Sequence, residues 1–351
     1  MSRASASYTS AYTHLRMPGP GGDAYRHPMF DGDHGQPAGT DTGVTRLVTD
    51  AAWGNAARHA DRPALVDPGR RLGYGGFAAA VPAAAAGLRR HGVRPGDTAA
   101  LHLSGVCDLA LAVHAVSAAG AVPTPLPRDA PVAELAAMMS ESGARLLLTC
   151  SETAAVSLAA TERSFVRQVF AFGDVPDATP FARLVEAGGE AGTDAGAGPA
   201  ATVDWAFGPP CDLALRLCAP PEKITHADRL ADLHRLDAAV GVNDGDVLVC
   251  AAEDCTLPTR LGLIDLCLLH GATLVGVPDP GVTPLLAAIA RHRATLAVVT
   301  PAKLRALAFD LAFDSGAPPV PGVRLLVTGY PDPEVVRACR ERHGWDAVPL
   351  G

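Results

Sequence analysis

Hydrophobic and polar positions divide the chain into an unpatterned head and a long body in which short apolar runs alternate with amphipathic stretches. Residues 1–43 are rich in Gly, Pro, Ser, Asp and His and carry neither a helical nor a strand period. They read as a disordered tail. From Val44 the pattern becomes regular. Leu47, Val48, Ala51 and Ala52 recur at helical spacing, Ala64-Leu65-Val66 reads as a short strand, and Asp67-Pro68-Gly69-Arg70 supplies turn chemistry before Leu72. Helices are predicted at 78–91, 106–119 and 133–142, each followed by a glycine suited to a left-handed helix end, with strands at 98–103 and 145–149. Residues 188–203 are poor in large apolar side chains and are expected to link a first lobe, 44–187, to a second, 204–351. In the second, strands are predicted at 212–217, 247–252, 273–277, 295–300 and 324–328. Helices are predicted at 227–240, 260–270, 284–292, 302–313 and 333–343. Short, nearly all-apolar strands separated by helices imply an α/β protein whose mostly parallel sheets are covered on both faces, because right-handed crossovers return each strand in the same direction.

Composition narrows the function classes. With 351 residues and 48% hydrophobic content the chain can bury a sizeable core. A formal charge of -8 with no basic block argues against a sequence-independent grip on nucleic acid. No apolar stretch approaches the ~20 residues of a membrane span, and the residues after Met1 do not resemble a signal peptide, so a cytoplasmic protein is expected. The eight cysteines form no C-x-x-C pair and no regular framework, and read as buried free thiols. His14, His27 and His34 are irregularly spaced and read as solvated tail residues; no metal site is expected.

Several segments, in order, resemble the N-terminal domain of the AMP-binding adenylate-forming ligases: acyl-CoA synthetases, aryl-CoA ligases and adenylation domains. Ala57-Arg58-His59-Ala60-Asp61-Arg62-Pro63-Ala64-Leu65 is similar to the opening "A-x-x-x-P-D-x-P-A-L", and Leu72-Gly73-Tyr74 to "L-T-Y". Gly92-Val93-Arg94-Pro95-Gly96-Asp97 resembles "G-V-x-P-G-D", Ala119-Gly120-Ala121-Val122 resembles "A-G-A-V", and Ser142-Gly143-Ala144-Arg145 resembles "S-G-A-R". Each residue has an architectural explanation as a turn, helix end or stiffened edge, so these segments imply fold rather than activity. The second half continues the likeness through Thr225-His226, His270-Gly271-Ala272-Thr273, Thr300-Pro301-Ala302 and Arg324 to Gly329; residues 151–203 match poorly.

The resemblance also says where chemistry should lie. Adenylation needs a carboxylate held in line with the α-phosphate of ATP while the leaving charge is neutralised. The family uses a loop like "S-G-T-T-G-x-P-K-G", whose backbone N–H groups close on the phosphates. The corresponding stretch here, Leu217 to His226, has no glycine, carries Pro220 and Pro221, and places Glu222 where a polyphosphate must lie. Lys223, Thr225 and His226 are what remains of that loop. Each also has a plainer reading: Lys223 as an exposed lysine beside Glu222, Thr225 as a helix cap, His226 as a helix-start histidine. Thr300, Gly329, Tyr330 and Pro331 align with the acyl and adenine pocket. Tyr330 is suited either to stacking on a flat ligand or to covering the mouth. Glu253 and Asp254 are adjacent and so face opposite sides of an extended segment.

The chain stops at Gly351, just before the family's "Y-G-x-T-E" segment, so the resemblance implies a degenerate N-terminal domain, C-terminally truncated and without the small C-terminal lid. No catalytic residue is assigned. ATP with magnesium and CoA are the family's cofactors, and the altered loop argues against them here. The leading expectation is a pseudoenzyme that binds an acyl or aryl acid, an acyl-carrier protein or a complete ligase. The alternatives are a ligase whose site is completed by another polypeptide, and a non-functional truncated relative.

Overall fold

The computed structural model describes residues 43–189, 212–310 and 320–350. The chain begins with helix α1 (Val44–Arg58), the strand pair β1 (Pro63–Asp67) and β2 (Arg70–Gly73), and α2 (Tyr74–Arg90). Then come β3 (Thr98–His102), α3 (Val106–Ala118), β4 (Val122–Pro125), α4 (Val132–Ser142) and β5 (Leu146–Cys150). Helix α5 (Ala154–Thr161), β6 (Gln168–Phe172), β7 (Thr179–Pro180) and α6 (Phe181–Gly189) follow, none of which the pattern had assigned. Beyond residue 211 lie β8 (Leu213–Cys218), β9 (Pro221–Thr225), α7 (His226–Val240), β10 (Val247–Ala251), α8 (Leu257–His270) and β11 (Thr273–Val277). The order closes with α9 (Val282–His292), β12 (Leu296–Val299), α10 (Pro301–Phe309), β13 (Arg324–Val327), α11 (Pro333–His343) and β14 (Asp346–Pro349). The expected tail up to residue 42, the expected linker from 190 and the end of the helix expected to reach 313 lie outside the described residues.

The expected α/β class, with mostly parallel sheets covered by helices, is what the strands build. Five run parallel in the order β4-β3-β5-β6-β7, with Pro123 and Pro125 on edge strand β4, where a missing donor is tolerated. Seven more form the sheet β14-β13-β12-β10-β11-β1-β2, parallel except for β2. Thus β1 and β2, near the start of the chain, complete the sheet built by residues 247–349, with Leu65 opposite Leu274.

Strand alternation explains the layers. On β10, Leu248 and Cys250 enter one apolar cluster while Val249 and Ala251 enter another, and β12 divides Leu296 and Val298 from Ala297 and Val299 in the same way. The first cluster also takes in α1, α2, α3, α8 and strands of the five-stranded sheet, so these helices are shared filling between the sheets. The second covers the opposite face with α9, α10 and α11. Helix α3 lacks a cap of its own. Asp67, at the end of β1, accepts from the N–H groups of Val106 at 3.0 Å and Cys107 at 2.8 Å. A Cβ on Gly105 would stand 2.6 Å from that carboxylate, which is why the residue before α3 is glycine. No helix among the described residues is long and apolar enough to cross a membrane.

Candidate functional site

In the seven-stranded sheet the chain passes from β10 to β11 on one side and then to β12 on the other. The crevice beyond the carboxyl ends of β10 and β12 is therefore a topological switch point, the place where open α/β sheets receive ligands. A cleft of about 600 Å³ opens there. Its apolar wall is Leu215, Ile224, Leu233, Leu236, Leu261 and Leu350; Glu253 to Thr256, Thr300, Thr328 and Gly329 close the sheet end.

Of the residues singled out from sequence, Thr300 and Gly329 line this cleft. Thr300 caps α10, its hydroxyl accepting from the Lys303 N–H at 3.2 Å, and Gly329 turns the chain after β13 with φ +96°. Tyr330 is 95% exposed and, with Pro331, lies outside the lining. Lys223, Thr225 and His226 lie outside it too, although Ile224 between them points in.

The stretch aligned with a phosphate loop is a tight hairpin. Leu217 stands opposite Glu222 and Cys218 opposite Pro221, leaving Ala219 and Pro220 as the whole turn. Pro220 and Pro221 offer no N–H, and Glu222 and Lys223 are exposed. Arg216, opposite Lys223, anchors the hairpin by donating to the carbonyls of Ser142 and Glu141 at the end of α4, both at 3.1 Å. Thr225 caps α7 in a reciprocal box: its hydroxyl accepts from the Asp228 N–H at 3.1 Å while Asp228 accepts from the Thr225 N–H at 3.0 Å. The Thr225 hydroxyl also donates to the Asp228 carboxylate at 2.7 Å, and that bond foremost, with the one from the Thr225 N–H, holds the Asp228 carboxyl below its usual value. Burial, helped by Arg229, lowers His226 below an ordinary histidine.

Sequence reasoning singled out Asp254 but missed its partner Lys303 and the buried cluster around Asp265 at the cleft wall. Asp265 on α8 is 1% exposed; one carboxylate oxygen meets His114 Nε2 of α3 at 2.9 Å and the other accepts from Arg229 of α7 at 2.8 Å. His114 also meets the Thr45 hydroxyl of α1 at 3.1 Å, so the cluster ties four helices together. Asp254 is equally buried and pairs with Lys303 at 2.5 Å, while its neighbour Glu253 is exposed. Burial pushes the Asp254 carboxyl up, with Lys303 pulling the other way. The signal was there: Asp265 and His114 are lone polar residues inside apolar helical runs, and buried polar groups take partners.

Most of the charge at the cleft is paired. Arg229 pairs with Asp265, Arg235 with Asp232 at 3.0 Å and Lys303 with Asp254, while Glu253 stands exposed at the rim. Within the described residues no group of three His, Cys, Asp or Glu side chains gathers in a geometry that would hold a metal ion.

The sequence and the fold are similar to those of known proteins. Residues 52–200 match the family model described as AMP-binding enzyme. A Mycobacterium tuberculosis protein named salicyl-AMP ligase / salicyl-S-ArCP synthetase is 30% identical over 306 residues, covering 81% of this chain and 52% of that one. The chain thus spans about half the length of that relative. Among solved structures, the fold is similar to apo MbtA of Mycobacterium smegmatis, with a TM-score of 0.66 and 23% identity over 86% of this chain and 55% of that one. It is also similar to a benzoate CoA ligase of Burkholderia xenovorans, with a TM-score of 0.69 and 21% identity over 86% of this chain and 60% of that one.

Proposed function

Since the chain belongs to the AMP-binding family of adenylate-forming ligases, we propose that it is a member that forms no adenylate by itself and uses its cleft to hold an acyl or aryl group. The observation that carries this reading is the hairpin at 217–226. A phosphate cradle needs several N–H groups converging on one point, and flexible residues to let the backbone approach. A two-residue turn with Pro220 and Pro221 supplies neither, and Glu222 at its edge opposes a polyphosphate. Three cations at the cleft are already committed to carboxylates, Arg229 to Asp265, Arg235 to Asp232 and Lys303 to Asp254, which acts in the same direction. These residues do not fit a magnesium-bound triphosphate. The leucine and isoleucine wall fits an apolar acyl or aryl body, delivered as the acid or on a carrier protein.

Purified protein supplied with ATP, magnesium and a panel of benzoate, salicylate and fatty acids should exchange no labelled pyrophosphate into ATP above a protein-free blank, while a fluorescent aryl or acyl probe should bind and be displaced by the preferred group. Exchange by the protein alone would overturn the proposal. Exchange that starts only on adding a second polypeptide would replace it with a ligase completed in trans.

A further inference from the structure

Two thiols meet in the wall of the cleft, and the reading above makes no use of them. Cys250 is the fourth residue of the central strand β10 and is 1% exposed. The chain turns immediately after β10, closed by the Asp254 N–H on the Ala251 carbonyl at 3.1 Å, and returns Cys255 just ahead of Thr256, the cap of α8. The two Sγ atoms stand 3.7 Å apart. One sulfur is fixed by a strand paired on both sides; the other is partly exposed and lines the cleft.

The pair is chemically asymmetric. The Cys250 S–H reaches either the Ala251 carbonyl, at 3.3 Å, or the Cys255 sulfur. Its bond to Cys255, together with burial, holds the Cys250 thiol well above its ordinary value. That same bond, with the positive charge of Arg260, holds Cys255 below its own, against burial and Asp254. Cys255 is thus the accessible thiol with more thiolate character, and Cys250 is the protonated thiol behind it. Cys107, Cys267 and Cys339, by contrast, are buried thiols raised by desolvation.

We propose that Cys250 and Cys255 form a redox-modification site that a peroxide-class oxidant closes to an intrachain disulfide. The Cys255 thiolate attacks one peroxide oxygen; the O–O bond breaks, and the departing hydroxide takes a proton to become water, leaving a sulfenic acid. Cys250 then attacks that sulfur as its proton leaves. The S–S bond forms and the sulfenic hydroxyl departs as a second water. Two thiols are oxidised by two electrons and one peroxide is reduced to two waters. An S–S bond of about 2.05 Å requires the sulfurs to approach by about 1.7 Å more, a movement that falls to Cys255 in the turn because Cys250 is held by the sheet. Closure draws Cys255 out of the cleft wall and fixes the turn that carries Asp254, so the shape of the cleft follows the redox state.

The experiment uses the full chain, reduced, then treated with hydrogen peroxide, alkylated under denaturing conditions and digested with trypsin. Both residues fall in one peptide, Leu236 to Arg260, which contains no Lys or Arg before its last residue. The expected result is loss of both alkylation sites from that peptide, a mass lower than the dithiol by two hydrogens, and recovery with a thiol reductant. Peptides containing Cys107, Cys267 and Cys339 should stay fully alkylated. In Cys250→Ala the oxidation should stop at a Cys255 sulfenic acid trapped by dimedone, and in Cys255→Ser Cys250 should remain a free thiol. A peptide that keeps both alkylated thiols, or that carries a Cys255 sulfinic acid beside a free Cys250, overturns the proposal. The unsubstituted chain decides this even if a variant fails to fold.

Discussion

Replacing Arg229 with leucine removes one of the two partners that hold Asp265 inside the protein. Burial by itself would push that carboxyl up, but Arg229 and His114 outweigh it and hold Asp265 below its usual value. Orphaning a buried charge costs about 3–5 kcal/mol, a large share of the ~5–15 kcal/mol that keeps a domain folded. His114 sets the pH dependence. In the intact protein it lies below an ordinary histidine because of burial, with Arg229 adding to the shift and Asp265 opposing it. The unfolded chain therefore binds this proton more readily, so the contribution of His114 is present above pH ~6.5 and is lost as pH falls below that. Without Arg229 the imidazole is the remaining counter-charge to Asp265 among the described residues, and its folded value rises. Each unit of rise returns about 1.4 kcal/mol on the acid side. Urea unfolding at pH 8 should thus show a loss of about 3–5 kcal/mol for Arg229→Leu, shrinking by roughly 1–2 kcal/mol at pH 5.5 with an unchanged slope. Arg229→Leu/Asp265→Leu should be more stable than Arg229→Leu. A loss under about 1 kcal/mol at pH 8, or one equal at both pH values, would refute the reasoning.

Other substitutions probe other parts of the fold. A Cβ on Gly87 of α2 would run into the backbone of Leu184 on α6, so Gly87→Ala should cost roughly 1–3 kcal/mol in a thermal melt. Gly54→Ala, in the exposed interior of α1 with open space around it, should instead stabilise by up to ~1 kcal/mol. Lys303→Met strands Asp254 and should lower the urea midpoint by an equivalent of about 3–5 kcal/mol, with the loss easing as acid neutralises the carboxyl. Thr225→Ala breaks the capping box of α7 and should cost about 1 kcal/mol by denaturant titration.

Where hydrophobic periodicity is strong, the elements could be read directly. The apolar runs of β10, β11, β12 and β13 are buried on both faces, and left-handed glycines end α4, α7, α8 and α11 at Gly143, Gly241, Gly271 and Gly344. Strand β9 escaped because Pro221, Glu222 and Lys223 are exposed and carry no apolar alternation; pairing with β8 makes it a strand. Edge strand β14, mixed and half exposed, escaped for the same reason. At the site, Glu253 and Asp254 lie in the turn after β10 rather than on an extended segment and both border the cleft, and the partner of Asp254 sits 49 positions later on α10, brought in by the crossover. The i,i+5 spacing of Cys250 and Cys255 fits no framework of cysteines; the turn after β10 brings them together.

The place of β1 in the seven-stranded sheet has a consequence for biosynthesis. Leu65 finds its sheet partner in Leu274, 209 positions later (274 minus 65), so the β1–β2 hairpin leaves the ribosome long before the edge it must join exists. At about 5–20 residues per second it waits roughly 10–40 s with its outer edge bare, open to chaperones and to mispairing between nascent chains. A recombinant fragment beginning after residue 203 would lack the hairpin that covers β11, and that uncovered edge makes it a candidate for inclusion bodies.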